Sequence, residues 1–317
     1  MSADPPHSRA PSPGLSRAAS ASSSPASAGD TPRGFAFALT AYLLWGMLPL
    51  YLRALAHVPV VEVLAHRVIW SVPIALAVLM VMGRTRDLRA AFASPRTLAM
   101  GGVTAALITV NWGVYVWAIQ TGQALEAALG YYINPLFSIF LGAVLLGERL
   151  SPRQWAAVAL AVAAVAILTW DTGRLPLVAL ALTLSWGFYA FFKRALPIGP
   201  NQGFTLEVIL LTPFALGYLI WMQAQGGIFI AGASPRDVAL LVGCGVITAV
   251  PLMIYANGAK LLRLSTIAIM QYLTPTMVFL LAVFVFDEPF GQARAIAFPM
   301  IWLALILYSS EILRLRR

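Results

Sequence analysis

The sequence predicts an all-α polytopic membrane protein of ten transmembrane helices, arranged as two inverted five-helix repeats. Three observations lead there. Of 317 residues, 60% are hydrophobic and only 10% charged, against roughly 45–50% and about 25% in a soluble domain. So few polar groups cannot cover the surface of a soluble particle, so the solvent is lipid. Apolar runs of about 20 residues, the length that crosses a bilayer, then recur along the chain. Finally, an offset of about 140 residues brings the two halves into register.

Taken in order, residues 1–34 hold 9 Ser, 7 Ala and 6 Pro and no aromatic residue. Such a segment buries too little to fold and is predicted to be a disordered cytoplasmic tail. Its Ser- and Arg-rich composition resembles a transit peptide superficially, and it lacks the apolar core of a signal peptide. The spans follow at about 35–54, 61–82, 98–119, 124–146 and 153–170, which form a first repeat over 35–170. A second repeat over 175–313 holds spans at about 175–192, 203–222, 237–256, 266–286 and 294–313. Hydrocarbon forces the backbone to satisfy itself, so runs this long are helices rather than the shorter, alternating strands of a barrel.

Charge sets the expected orientation. With the amino terminus inside, cytoplasmic segments take 16 of the 21 basic residues. The opposite side holds Arg53, Arg174, Arg236 and Arg294, and Arg67 is left inside a span. By the positive-inside rule both termini are cytoplasmic. The net charge of +9 is thereby accounted for by topology, and no nucleic-acid partner is called for. The one cysteine, Cys244, supports neither a disulfide framework nor a thiolate metal cluster.

At a shift of 141, Trp45-Gly46 meets Trp186-Gly187 and Arg53-Ala54-Leu55 meets Arg194-Ala195-Leu196. At 140, Pro73 meets Pro213, Tyr115 meets Tyr255, Tyr132 meets Tyr272, Pro135 meets Pro275 and Glu148 meets Glu288. Five helices per repeat is an odd number, so the second repeat starts from the opposite face. Inverted repeats of this kind belong to secondary transporters, which open alternately to either side of a site near the midplane. A duplicated bundle that does not transport, such as a scaffold or sensor, is the other reading.

Several segments carry a family resemblance. Glu62-Val63-Leu64-Ala65-His66-Arg67-Val68-Ile69-Trp70-Ser71 resembles the second-helix signature of RarD-type permeases. So do Leu125 to Pro135, which includes Gly130-Tyr131-Tyr132-Ile133-Asn134-Pro135, then Leu146-Gly147-Glu148-Arg149, and Arg263-Leu264-Ser265-Thr266 with Gln271-Tyr272. The resemblance spans about residues 35–313 and points to the EamA group of the drug/metabolite transporter superfamily. It implies a multi-pass bacterial inner-membrane permease whose third, fourth, eighth and ninth helices surround a central cavity. The second half departs from the pattern in reading Asp287-Glu288 where the first reads Gly147-Glu148.

The candidate site residues are the polar groups within the spans, since a charge near a helix centre costs roughly 2.5–3.5 kcal/mol on insertion scales. Arg67 lies about 10 Å from the start of the second span, at 1.5 Å per residue. It either binds an anionic substrate group or locks helices by pairing with Glu62 or Glu126. Glu62 and His66, spaced i, i+4, form a candidate proton relay or an interfacial polar cluster. Glu126, Gly130, Ile133, Asn134 and Phe137 share a stripe that suits a cavity wall, and Pro135 and Pro275 interrupt the backbone ladder at related places. Asn111, Trp112, Tyr115, Tyr131, Tyr255, Gln271 and Tyr272 complete the expected substrate pathway. Glu207 overlays Arg67 in the repeat and is a candidate gate; Glu148 and Glu288, at span ends, are expected to face solvent or loop arginines. No phosphate-binding loop, nucleophile motif or metal-ligand cluster is visible, so the expected activity is transport of a small molecule, outward in the sense of an exporter, without catalysis or cofactor. The expected partners are that substrate and the bilayer, with a homodimer left open.

Overall fold

The computed structural model describes residues 30–147, 149–227 and 229–314. Its helices are α1 (Pro32–Ala54), α2 (Val60–Val81), α3 (Thr85–Phe92), α4 (Pro95–Gln120), α5 (Ala124–Leu146), α6 (Pro152–Thr172) and α7 (Leu177–Ala195). They continue with α8 (Pro200–Ala224), α9 (Phe229–Gly232), α10 (Pro235–Ala259), α11 (Leu264–Met270), α12 (Leu273–Phe284) and α13 (Gln292–Arg314). Among the described residues every regular element is a helix, and nine helices are long and apolar enough to cross a membrane. The expected sixth span is α7, which falls outside that set and carries Lys193 and Arg194 in its last turn. The expected ninth span is divided, α11 and α12 meeting at Gln271-Tyr272.

Helix starts follow local chemistry. Thr31, Ser94, Ser151 and Ser234 each precede a proline and cap their helix through the side-chain oxygen. The hydroxyl accepts an orphan N–H, and proline at the first position has no N–H to leave unpaired. Thr31 starts α1 at Pro32, so residues 32–34 are helical rather than part of the expected tail. Residues 1–29 of that tail, and Glu148, lie outside the described residues. Helix α5 closes on Gly147 in the left-handed conformation, φ 69°. Asp287, its partner in the repeat, takes φ 51° and is the non-glycine residue in that region among the described residues. Asp tolerates this conformation better than most side chains, which explains how Asp287 replaces glycine there.

The packing follows an approximate twofold. Helix α2 packs on α8, α5 on α12 and α6 on α13, each helix against its own repeat mate. The contact of α1 with α10 is matched by that of α7 with α4, and the contact of α5 with α7 by that of α12 with α1. Individual residues obey the same offset. A side chain added at Gly46 would meet Met277, and one added at Gly187 would meet Phe137, contacts displaced by about 140 residues from one another. These glycines let two helices approach closely, as small residues do at membrane helix crossings. Gly130 sits in the same way against the Ala179 backbone of α7.

Gly130→Ala and Gly187→Ala are therefore expected to lower stability by about 1–3 kcal/mol each through overpacking. Thermal unfolding of the purified variants in detergent checks this, with Gly102→Ala, which opens on free space, as the silent control.

Candidate functional site

The interior of the helix bundle is aromatic and polar at once. Arg67 on α2 is 3% exposed. Its guanidinium lies 4.7 Å from the Trp112 ring centroid and donates through Nε to the Thr248 hydroxyl at 3.1 Å. The Nη1 atom is buried with no hydrogen-bond partner, and among the described residues no carboxylate pairs with Arg67. Tyr115, Tyr131 and Cys244 are its electrostatic neighbours. The Tyr115 and Tyr131 rings pack edge to face at 5.5 Å, and the Tyr131 hydroxyl donates to Asn111 Oδ1 at 3.2 Å. Asn111 in turn donates to the Ser185 hydroxyl at 3.0 Å and the Leu182 carbonyl at 3.3 Å. Five expected pathway residues, Arg67, Asn111, Trp112, Tyr115 and Tyr131, are thus brought together.

The cluster continues through Trp186, Tyr189 and Lys193, which sequence reasoning did not assign to the site, to Glu207, its candidate gate. Trp186 lies 6.4 Å from Tyr131 and 5.6 Å from Tyr189, ring to ring. The Tyr189 hydroxyl donates to Glu207 at 3.3 Å, and Lys193 Nζ reaches the same carboxylate at 2.6 Å. Glu207 is 1% exposed. Lys193, counted by sequence as a loop charge, is instead the half-buried partner of Glu207. The repeat match of Trp45 with Trp186 was the signal available for this side of the cluster.

Neither predicted ion pair of Arg67 forms, because both carboxylates are engaged elsewhere. Glu62, fully buried, accepts the backbone N–H groups of Phe229 and Ile230 at 3.0 Å each. It thereby ties the start of α9 to α2. His66 Nε2 lies 3.9 Å from Glu62, while Nδ1 accepts the Trp70 indole N–H at 3.1 Å. That acceptor role assigns the remaining ring proton of neutral His66 to Nε2, on the Glu62 side. Glu126 lines a small cleft with Arg294 and Thr172, away from the Arg67 cluster. Glu288 does not face solvent: it is 7% exposed and accepts the Ala124 and Leu125 N–H groups at 2.6 and 2.9 Å. A carboxylate at a helix start satisfies orphan donors and suits the helix dipole.

The remaining pathway candidates lie elsewhere. Gly130 is a helix contact with α7. Asn134 is buried with Oδ1 unpartnered. Tyr255 packs with Tyr42 and Trp45 at 5.6 and 5.5 Å, a second aromatic cluster related by the repeat to Tyr115 and Trp186. Gln271 and Tyr272 form the joint between α11 and α12, and the Tyr272 hydroxyl is buried without a partner. Pro275 falls in the first turn of α12, just past that joint, whereas α5 runs unbroken through Pro135.

A groove of about 570 Å³ opens between α1, α2 and α10. Ile74, Val78, Val250 and Met253 give it apolar walls, and Arg33 and Lys260 stand at one end. Of the helices that the family resemblance expects around a cavity, only the eighth span, α10, contributes to this groove. Ile74 and Val78 lie seven and eleven residues beyond Arg67 on α2, on the same helical stripe.

Comparison with known proteins places this arrangement. The EamA-like transporter family matches residues 32–170. A Vibrio cholerae protein named "Uncharacterized transporter" is 40% identical over 283 residues, covering 89% of this chain and 93% of its own. The chain belongs to the EamA-like transporter family. Within it, Protein RarD of Escherichia coli (strain K12) is 36% identical over 289 residues, covering 91% of this chain and 97% of its own. A solved structure at 21% identity shares the fold seen here, with a TM-score of 0.57 over 90% of this chain and 99% of that one. The protein is accordingly a multi-pass helical membrane protein of the RarD type.

Arg67 and Lys193 predict opposite responses. Lys193→Met strands Glu207 and is expected to cost about 3–5 kcal/mol, the penalty for breaking a buried pair; adding Glu207→Leu should restore much of it. Arg67→Met removes a buried charge that has no counter-ion and is expected to leave thermal stability unchanged or raised. Thermal unfolding of the three variants in detergent reads both effects.

Proposed function

We propose that the protein is a secondary permease that moves a small metabolite or drug-like molecule across the bacterial inner membrane by alternating access, as an exporter. The observation that carries this reading is the approximate twofold in the packing, in which α2 meets α8, α5 meets α12 and α6 meets α13. Two halves of like construction and opposite orientation can exchange conformations, so that a site between them opens to one side and then to the other. The reading takes α7 as a tenth span, 35–170 and 175–313 as the two repeats, and both termini as cytoplasmic by the distribution of basic residues.

In that orientation the groove flanked by Arg33 and Lys260 faces the cytoplasm. Its volume is that of a site for a drug-sized molecule, and an opening on this side suits loading for export. Trp112, Tyr115, Tyr131 and Trp186 supply aromatic surface deeper in the bundle, and Lys193 with Glu207 holds α7 to α8. Exchange between the two states then needs that contact and the Glu62 hold on α9 to give way in turn. Relatives named as transporters agree with a function of this class.

Flux in proteoliposomes is the direct test. Purified protein should move an amphiphilic metabolite above empty vesicles, and Met253→Trp, which fills the groove, should lower that flux by about tenfold or more, about 1.4 kcal/mol in barrier. Ligand binding with no flux would turn the reading toward a non-transporting sensor.

A further inference from the structure

We propose that Arg67 is the binding site for the carboxylate of a singly charged, apolar-bodied substrate, so that the permease carries organic monoanions. The inference rests on the transport reading above for its physiological meaning, and on Arg67 for its chemistry.

A guanidinium that is 3% exposed and unpaired is costly, because the attraction that offsets desolvation is missing. Among the described residues the acids of the neighbouring spans are engaged elsewhere, Glu126 lining a separate cleft with Arg294. Glu62 is held by the Phe229 and Ile230 N–H groups, and Glu207 by Lys193 and Tyr189. The missing counter-charge therefore has to come from outside the chain. Arg67 is also held in position to receive it. Trp112 supports the guanidinium and Thr248 takes the Nε proton, leaving Nη1 without a partner. A fixed guanidinium plane with free donors matches the two oxygens of a carboxylate.

The charge count selects the class of anion. Lys193, the other cation of the cluster, is neutralised by Glu207, so Arg67 alone is left to balance one negative charge. A phosphate monoester, near two negative charges at neutral pH, would leave an unpaired charge in the bundle. The surroundings select the body of the molecule: Trp112, Tyr115 and Tyr131 present aromatic surface, and the groove that runs along the α2 stripe below Arg67 is walled by Ile74, Val78, Val250 and Met253. Arg33 and Lys260 at its mouth favour approach of anions over cations.

Three probes that share one body separate the head group from the rest: radiolabelled 4-phenylbutyrate, 4-phenylbutanol and 4-phenylbutylamine, measured for binding to the purified protein and for flux in proteoliposomes. The expected result is that 4-phenylbutyrate binds at least tenfold tighter than the other two. Arg67→Gln should abolish that preference while leaving the weak binding of 4-phenylbutanol in place, and Arg67→Lys should retain part of it. Retained 4-phenylbutanol binding also shows that Arg67→Gln is folded. Equal binding of the three probes to the unaltered protein, or full carboxylate preference in Arg67→Gln, would overturn the inference. Flux of 4-phenylbutanol without head-group preference would overturn it and leave the transport reading standing. Arg67-dependent binding of 4-phenylbutyrate with no flux of any probe would uphold the anion site and overturn the transport reading instead.

Discussion

Hydrocarbon offers no hydrogen bonds, and each polar group carried into it must find a partner within the protein. That constraint orders the bundle. Glu62 on α2 takes the free N–H groups at the start of α9, and Glu288 does the same for α5. Hydroxyls of Thr109, Thr169, Thr212 and Thr248 turn back to carbonyls four residues earlier in their own helices. Lys193 and Glu207 neutralise one another. Among the described residues His66 Nε2, Asn134 Oδ1, Asn201 Oδ1, the Tyr272 hydroxyl and Arg67 Nη1 depart from this rule; the Arg67 atom belongs to a guanidinium, always charged, and such a departure is informative about function.

Much of the fold was legible because the membrane leaves few choices. Apolar runs of sufficient length had to be helices, and the observed bounds fall within a few residues of the expected ones. Position 287 was legible as a departure from the repeat, and its left-handed conformation accounts for it. The division of the ninth span was not legible, since Pro135 and Pro275 carry the same local signal while only the second lies beside a break. Tertiary packing decides that outcome, and a single proline does not encode it.

The site was legible in its membership but not in its pairings. Composition of the spans singled out Arg67, Asn111, Trp112, Tyr115 and Tyr131, because polar and aromatic groups in lipid-crossing segments need a reason to be there. Which acid met which base depended on rotation and depth of neighbouring helices, quantities that hydrophobic pattern constrains weakly. Lys193 looked like a loop charge because it sits at a helix end, yet its long stem reaches back along α7 to Glu207. Glu288 looked like a surface residue for the same reason, and its use as a cap emerges only once the start of α5 lies beside it. Repeat symmetry describes the scaffold better than its contents: Glu207 overlays Arg67, so one half offers an acid that is already paired where the other offers a base that is not.

An uncompensated cation also makes the empty bundle electrically sensitive. A charge that crosses the full field gains about 2.3 kcal/mol per 100 mV, and conformational exchange shifts the aqueous boundary, and so the voltage drop, relative to Arg67 even where the side chain itself moves little. If the bundle exchanges between two states as proposed, a cell interior that is negative would bias the unloaded form toward the state in which Arg67 is electrically continuous with the cytoplasm. On the transport and anion readings proposed above, a bound monoanion would cancel the charge and remove that bias, so the membrane potential would act on the return step and leave the loaded step alone. Net movement would then carry current, its energy drawn from the resting voltage through one arginine side chain.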